Sequence, residues 1–385
     1  MRNSPPLDRR RLLLACAALL AAGCGSSSAP SSRKRGQLLT YTAIGSVTAA
    51  TLYKFDYATI DSLGAPITAS ALAAIPTPLP TGPRPLLCYF HGATTLRTDI
   101  PSNPANLEGS AVAQLFGADG YVVIAPDYPG LGDDTSGTLQ SFEQATPLAN
   151  MAIDCLLAVQ TLTAKLSVAL SGKLFLAGFS EGAYATMAAH RAIESQPGAI
   201  GPLTITASAP IAGAYDLSTT TLNAALAAPG PDTIAFVAGL LLAYNPVHHL
   251  FANTNDAFAA PYADTLPGLF DGSHAISDIA AALPSTVGAL LTPSFLAGIQ
   301  SDSASNPVIS ALRANDVYNW RNTAPIRLYH SPTDEEVPYQ NAVVAQQTVT
   351  ANGGNATLVP IGRNADHGTT PALAAPLILT YFNSL

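Results

Sequence analysis

Six short apolar runs, at residues 85–90, 121–126, 173–177, 203–209, 325–329 and 357–361, stand close to Gly, Pro or Asp breaks. Near-continuous hydrophobicity over so few residues is the pattern of strands buried on both faces. Between two of them the period lengthens: Leu148, Met151, Cys155, Val159, Leu162 and Leu166 follow three- and four-residue steps and predict an amphipathic helix. Strand then helix, repeated, predicts a parallel sheet with helices on its faces. Ahead of the series, residues 54–60 and 66–75 flank Ser62-Leu63-Gly64-Ala65 and predict an antiparallel hairpin leading into the sheet. Behind Ile211 the alternation stops. Residues 216–323 are rich in Ala, Leu, Pro and Asn, with an apolar stretch at 234–243 and no clear strand, and are expected to form a mostly helical insertion between two strands.

The first 35 residues follow a different rule. Arg9-Arg10-Arg11 precede an apolar run over 12–22, too short to span a bilayer, which closes on Ala21-Ala22-Gly23-Cys24. Basic, apolar and small-residue regions in that order predict an export signal over 1–23. A cysteine directly after the small residues resembles a bacterial lipoprotein signal, in which Cys24 becomes the acylated N-terminus, although that motif usually carries leucine where this chain has Ala21. Residues 8–13 also resemble a twin-arginine signal. Residues 25–35, GSSSAPSSRKR, predict a flexible spacer that holds a domain off a membrane. On this reading the protein is exported to a bacterial cell envelope and bound to the membrane through a lipid on Cys24, with plain secretion as the alternative. The folded domain is then 36–385.

Composition removes several classes. Apolar residues make up 48% of the 385 and charged ones 11%, enough core material to exclude disorder; 31 Pro and 29 Gly without a period exclude collagen. Residues 1–35 hold seven of the 17 Lys+Arg and one of the 25 Asp+Glu, leaving ten bases against 24 acids in the rest. Such a surface repels phosphate backbones, and nucleic-acid binding is dropped. Cys88 and Cys155 sit in apolar surroundings and read as buried free thiols, a disulfide being the lesser alternative. No C-x-x-C or other metal-ligand spacing appears.

Gly178-Phe179-Ser180-Glu181-Gly182 is the chain's G-x-S-x-G. It follows a predicted strand and opens a predicted helix over 183–194, so Ser180 falls on the sharp turn that exposes a nucleophilic hydroxyl, where a side chain at Gly178 or Gly182 would collide with a neighbouring element. A serine needs a general base, and histidine with an orienting carboxylate is the usual solution. Of the seven histidines, His367 stands just after the last strand, where the Ser, acid, His order puts the base. The acid belongs on the loop after the preceding strand, where Asp334, Glu335 and Glu336 compete; Asp334 is nearest the strand end, and the two glutamates are expected to be solvated. The oxyanion donors are expected to be the backbone N–H groups of Glu181 and Ala93, with Thr94 adding a hydroxyl or exchanging roles with Ala93.

Together these residues resemble the α/β-hydrolase superfamily and, more narrowly, bacterial secreted esterases similar to secretory lipases. The match runs from about Leu39 to the C-terminus through Phe90-His91-Gly92, residues 120–132, the serine turn through His190, residues 330–338 and Asp366-His367-Gly368. It implies a Ser-His-Asp enzyme acting on carboxylic esters, a helical cap between the sixth and seventh strands, and no cofactor. Asp127 looks structural in such proteins. Relatives often carry glutamine where this chain has Glu181, whose charge is therefore expected to point to solvent.

The leading reading is an esterase or lipase whose cap, at about 216–323, lines an acyl pocket through Phe236 and Leu240, four residues apart on one helix face. Competing readings are a serine aminopeptidase or acyl-peptide hydrolase, which would need a carboxylate pocket for the substrate's amino group, and a non-catalytic surface lipoprotein that binds in the cleft. Fold alone does not separate them.

Overall fold

A computed structural model describes residues 33–385 apart from 80 and 302. The expected export signal, Cys24 and most of the spacer lie outside the described residues. The unit with the sheet is Arg35–Leu385. It starts one residue before the expected boundary because Arg35 donates to Asp154 (2.9 Å) and Asn150 (2.9 Å) on a core helix, while Gly36 bonds to the first hairpin.

Three antiparallel strands open the fold: β1 (Leu38–Val47), β2 (Ala50–Ile60) and β3 (Pro66–Pro76). The hairpin matches the expected alternation. β1 was not expected, because it lies at the sheet edge with mostly exposed residues and shows no apolar run. Then follow β4 (Arg84–Phe90), α1 (Leu107–Ala118), β5 (Val122–Pro126), α2 (Ala145–Lys165), β6 (Leu170–Phe179), α3 (Glu181–Ser195) and β7 (Thr204–Ile211). After β7 come a π-turn at Leu217–Thr221 and eight helices: α4 (Leu222–Ala227), α5 (Thr233–His248), α6 (Thr254–Ala257), α7 (Tyr262–Leu269), α8 (Ile276–Ala282), α9 (Val287–Leu290), α10 (Pro293–Gln300) and α11 (Pro307–Asn315). The fold closes with β8 (Ile326–His330), α12 (Gln340–Ala351), β9 (Ala356–Pro360) and α13 (Thr370–Asn383).

The nine strands form one sheet in the order β1-β2-β3-β5-β4-β6-β7-β8-β9, antiparallel as far as the β3–β5 pair and parallel from there on. The reversal of direction at β4 leaves the ends of β4 and β6 side by side, with Phe90 level with Gly178, and ligands bind at such switch points. Both faces are covered: α2, α3 and α12 pack on one, α1 and α13 on the other. The predicted face of α2 is deeply buried at Leu148, Met151, Cys155, Val159 and Leu162, and truncating one of the leucines to Ala should cost about 2–5 kcal/mol. α2 is also long and apolar enough to cross a membrane, but 72% of that stretch is buried in this core. Cys88 and Cys155 are free and buried, and burial raises both thiol pKa values.

The segment between β7 and β8 is fastened to the sheet by buried polar groups. Tyr184 on α3 donates to the Asn315 carbonyl (2.6 Å), Asn315 Oδ1 accepts from the first N–H of α2 (3.0 Å), and Asn341 Oδ1 accepts from the N–H groups of Tyr215 and Asp216. The unexpected β1 makes these the seventh and eighth strands here.

Candidate active site

The strand β6 runs straight into α3 through Ser180, whose φ of 56° and ψ of −119° a residue with a Cβ adopts only at a cost of about 1–3 kcal/mol. Three features hold it. Its N–H donates to the Ile211 carbonyl on β7 (2.9 Å) and its carbonyl starts α3 by accepting from Ala183 (2.9 Å). A Cβ on Gly178 would run into the Gly182 carbonyl, and one on Gly182 into the Phe90 carbonyl. The turn is that tight because α3 must pack back onto β4.

The same ends of β8 and β9 carry the partners. His367 Nε2 lies 3.0 Å from Ser180 Oγ and its Nδ1 lies 2.8 Å from Asp334 Oδ2. Phe179 lies beside the imidazole, ring centres 4.8 Å apart. The other Asp334 oxygen accepts from the N–H groups of Glu336 (3.0 Å) and Val337 (2.8 Å), and the side chain is wholly buried. His330 adds a donor that its position at a strand end did not suggest: its Nε2 lies 3.1 Å from Asp334 Oδ2 and 3.0 Å from the Val337 carbonyl. Burial alone would raise the Asp334 pKa, but the bonds from His330 and His367 hold it well below the usual range.

Of the remaining acids, Glu336 is placed otherwise than expected. Glu335 is exposed but accepts from the His367 N–H (3.0 Å). Glu336 is half-buried and accepts from the Asp232 N–H (3.1 Å) and the Thr233 hydroxyl (3.0 Å) at the start of α5, so it is not a solvated charge. Asp366 accepts from the N–H and hydroxyl of Thr369 and does not touch the ring of His367. Asp127 is fully buried between Ser70 and the Ser102 N–H, fixing the 100–102 turn against β3.

Opposite His367, the chain after β4 carries Ala93. Tyr128 donates to the His91 carbonyl (2.6 Å) and stacks on the His91 ring (4.0 Å), and Glu108 accepts from the Gly92 N–H (3.1 Å). These bonds fix the loop, and burial lowers the His91 pKa to about 4. The Ala93 and Glu181 residues flank Ser180 on one cavity wall. The Glu181 side chain does not point to solvent. It is 2% exposed, accepts from Gln140 Nε2 (2.8 Å) and lies 3.4 Å from the Glu143 N–H, because the 140–143 loop covers the first turn of α3. Burial first, and the neighbouring Glu143 second, raise its pKa well above the carboxylate range.

The cavity over Ser180 has a volume of about 120 Å³ and is walled by Phe236, Leu240 and other apolar residues of the β7–β8 segment. Phe236 and Leu240 thus meet Ser180 in one cavity. Thr94 does not: its hydroxyl accepts from the Leu96 N–H (3.2 Å), and it lines a second cavity of about 350 Å³ that shares Ala93, Phe142 and Phe236 with the first. Phe142 stacks on Phe236 with ring centres 5.6 Å apart, at the partition. Among the described residues no cluster of His, Cys, Asp or Glu could hold a metal ion. Sequence reasoning passed over His330, Phe142 and Glu143. The one available signal was the spacing of His330, at the end of β8 and four residues before Asp334.

No family model and no curated protein matches the chain. Solved structures do. A Legionella pneumophila protein named as a hydrolase superposes with a TM-score of 0.80 at 29% identity, over 90% of this chain and 96% of that one. The rice cell wall degrading esterase LipA from Xanthomonas oryzae gives 0.79 at 28% identity, over 89% and 95%. Candida antarctica lipase A in its closed state gives 0.69 at 18% identity, over 91% and 82%, a likeness of fold. This chain has the α/β-hydrolase fold and is similar in structure to esterases and lipases.

Proposed function

We propose that the protein cleaves carboxylic esters through an acyl-enzyme on Ser180. The observation that carries this reading is the unbroken line from Ser180 Oγ to His367 Nε2 (3.0 Å) and from His367 Nδ1 to Asp334 (2.8 Å), at one end of the sheet. His367 takes the Ser180 proton as Oγ attacks the ester carbonyl, and Asp334 stabilises the imidazolium that forms. The N–H groups of Ala93 and Glu181 are the donors for the negative oxygen of the tetrahedral intermediate. His367 then protonates the departing alcohol, and a water, deprotonated by His367 in turn, releases the acid.

The β7–β8 segment serves as the cap of this enzyme, and its apolar wall at Phe236 and Leu240 takes the acyl chain, whose binding energy helps to place the carbonyl. Export and anchoring through Cys24 complete the reading; the support is the order of basic, apolar and small residues before that cysteine. Two assays test the proposal. p-Nitrophenyl esters from acetate to palmitate, run beside aminoacyl anilides, should show ester turnover that Ser180→Ala abolishes, and turnover of anilides alone would reject the ester reading. Intact mass of the mature protein should show acyl chains on Cys24 that Cys24→Ser removes.

A further inference from the structure

The wall beside Ser180 contains one carboxyl that the mechanism above does not use. Glu143 lies in the loop that leads into α2, is 8% exposed and lines the cavity that holds Ser180, Phe236 and Leu240. Its backbone is fully engaged: the N–H points at Glu181 (3.4 Å) and the carbonyl accepts from the Tyr244 hydroxyl (2.6 Å). Its φ of 45° is a conformation that residues other than glycine adopt at a cost. The side-chain oxygens, in contrast, meet no donor among the described residues. The oxygens are not sealed in the core but open to the cavity, and a strained backbone that holds an unpartnered carboxyl in a cavity wall marks a binding group.

The surroundings say what it binds. The nearest charged neighbour of Glu143 is another carboxyl, Glu181, which accepts from the Glu143 N–H, while the hydroxyls of Tyr184 and Tyr244 are spent on the backbone carbonyls of Asn315 and Glu143. Glu336, on the same cavity wall, is a further acid but is already bonded to α5. Among the described residues no Lys or Arg lines this cavity. Phe142, the residue before Glu143, and Phe236 stack on each other and line the same space, an apolar surface for the methylenes that carry a charged group. A positive charge is the complement that this wall lacks.

Resting on the reading of Ser180 as an ester-cleaving nucleophile, we propose that Glu143 is a specificity-determining residue that binds an ammonium group on the acyl part of the substrate. The preferred substrates are then amino-bearing esters. The carboxylate pocket that an amino group requires comes from the core loop before α2 and not from the cap.

The test compares n-hexylammonium with n-hexanol as competitive inhibitors of p-nitrophenyl acetate hydrolysis, with parallel calorimetric titration of both into the wild type and Ser180→Ala. The ammonium should bind the wild type about tenfold or more tightly than the alcohol at pH 9. Burial raises the Glu143 carboxyl to about 8, so it ionises above that pH while the ammonium stays charged, and the preference should be smaller at pH 6. In Glu143→Gln and Glu143→Leu the two ligands should approach parity. An alcohol bound as tightly as the ammonium by the wild type, or a preference that persists in both variants, would overturn the proposal. The wild-type comparison decides even if a variant fails to fold. Titration into Ser180→Ala separates the two ideas: ammonium binding there without ester turnover in the wild type would reject the nucleophile reading and leave the Glu143 site standing.

Discussion

Two of the buried carboxyls around Ser180, Asp334 and Glu143, are treated in opposite ways. Asp334 receives hydrogen bonds from His367, His330 and the N–H groups of Glu336 and Val337, and its pKa lies below the ordinary carboxylate range. Glu143, on the other side, receives none, and burial raises it to about 8. Burial acts in the same direction on both, so donors decide which one carries charge at neutral pH. The charged carboxylate stands behind the base, where it stabilises an imidazolium. The other side holds Glu143, which burial raises to about 8 and so biases toward its protonated form.

The largest effect should come from removing the charge on the low side. Asp334→Asn should lower kcat about 10⁴-fold with little change in thermal stability, and combining Ser180→Ala with His367→Ala should cost little more than either alone. Additive losses would mean that the residues do not act as a unit.

Next in size is a pH effect on the high side. The folded Glu143 keeps a proton that the unfolded chain releases near its ordinary value of 4.5. Its folded value is raised, so the associated stability is present below pH 4.5 and lost as pH rises toward about 8. Glu143→Gln should therefore gain on the wild type by an amount on the order of 5 kcal/mol between pH 4 and 9, read from denaturant melts at each pH. A pH-independent difference would show that the carboxyl is not protonated in the fold.

A smaller loss is expected from His330→Ala, which takes one donor from Asp334 and leaves His367 in place. Roughly 10 to 100-fold in kcat is the scale of a positioning error of this kind. Loss of that donor weakens the depression of the Asp334 pKa, so the acid limb of the pH–rate profile should change, while an unchanged profile would make His330 a packing residue. Smallest of all is Leu240→Trp, which narrows the cavity wall and should shift the preferred chain length downward by several-fold in relative kcat/KM. Equal losses for acetate and octanoate would contradict the acyl pocket.

Much of this architecture can be read from the chain. The buried strands β4 to β8 and the partly exposed edge strand β9 are all apolar runs, and Ser180, Asp334 and His367 each follow one, so order along the chain translates into position at one end of the sheet. β1 was illegible because an exposed edge strand needs no apolar pattern. The orientation of Glu181 was misread because the 140–143 loop that covers it is distant in sequence, and an acid at the start of a helix ordinarily looks solvated. Glu143 gave no signal for the same reason, and Thr94 went to the other cavity because its hydroxyl closes its own turn on Leu96.

The central claim is that Ser180 is the nucleophile, raised in reactivity by His367. Acid-quenched intact and peptide mass spectrometry after mixing with p-nitrophenyl butyrate tests it most directly. The account predicts one butyryl adduct per chain, on the peptide that contains Ser180, absent from Ser180→Ala and greatly slowed in His367→Ala. Ester turnover with the acyl group on another residue, or an undiminished adduct in Ser180→Ala, would contradict it.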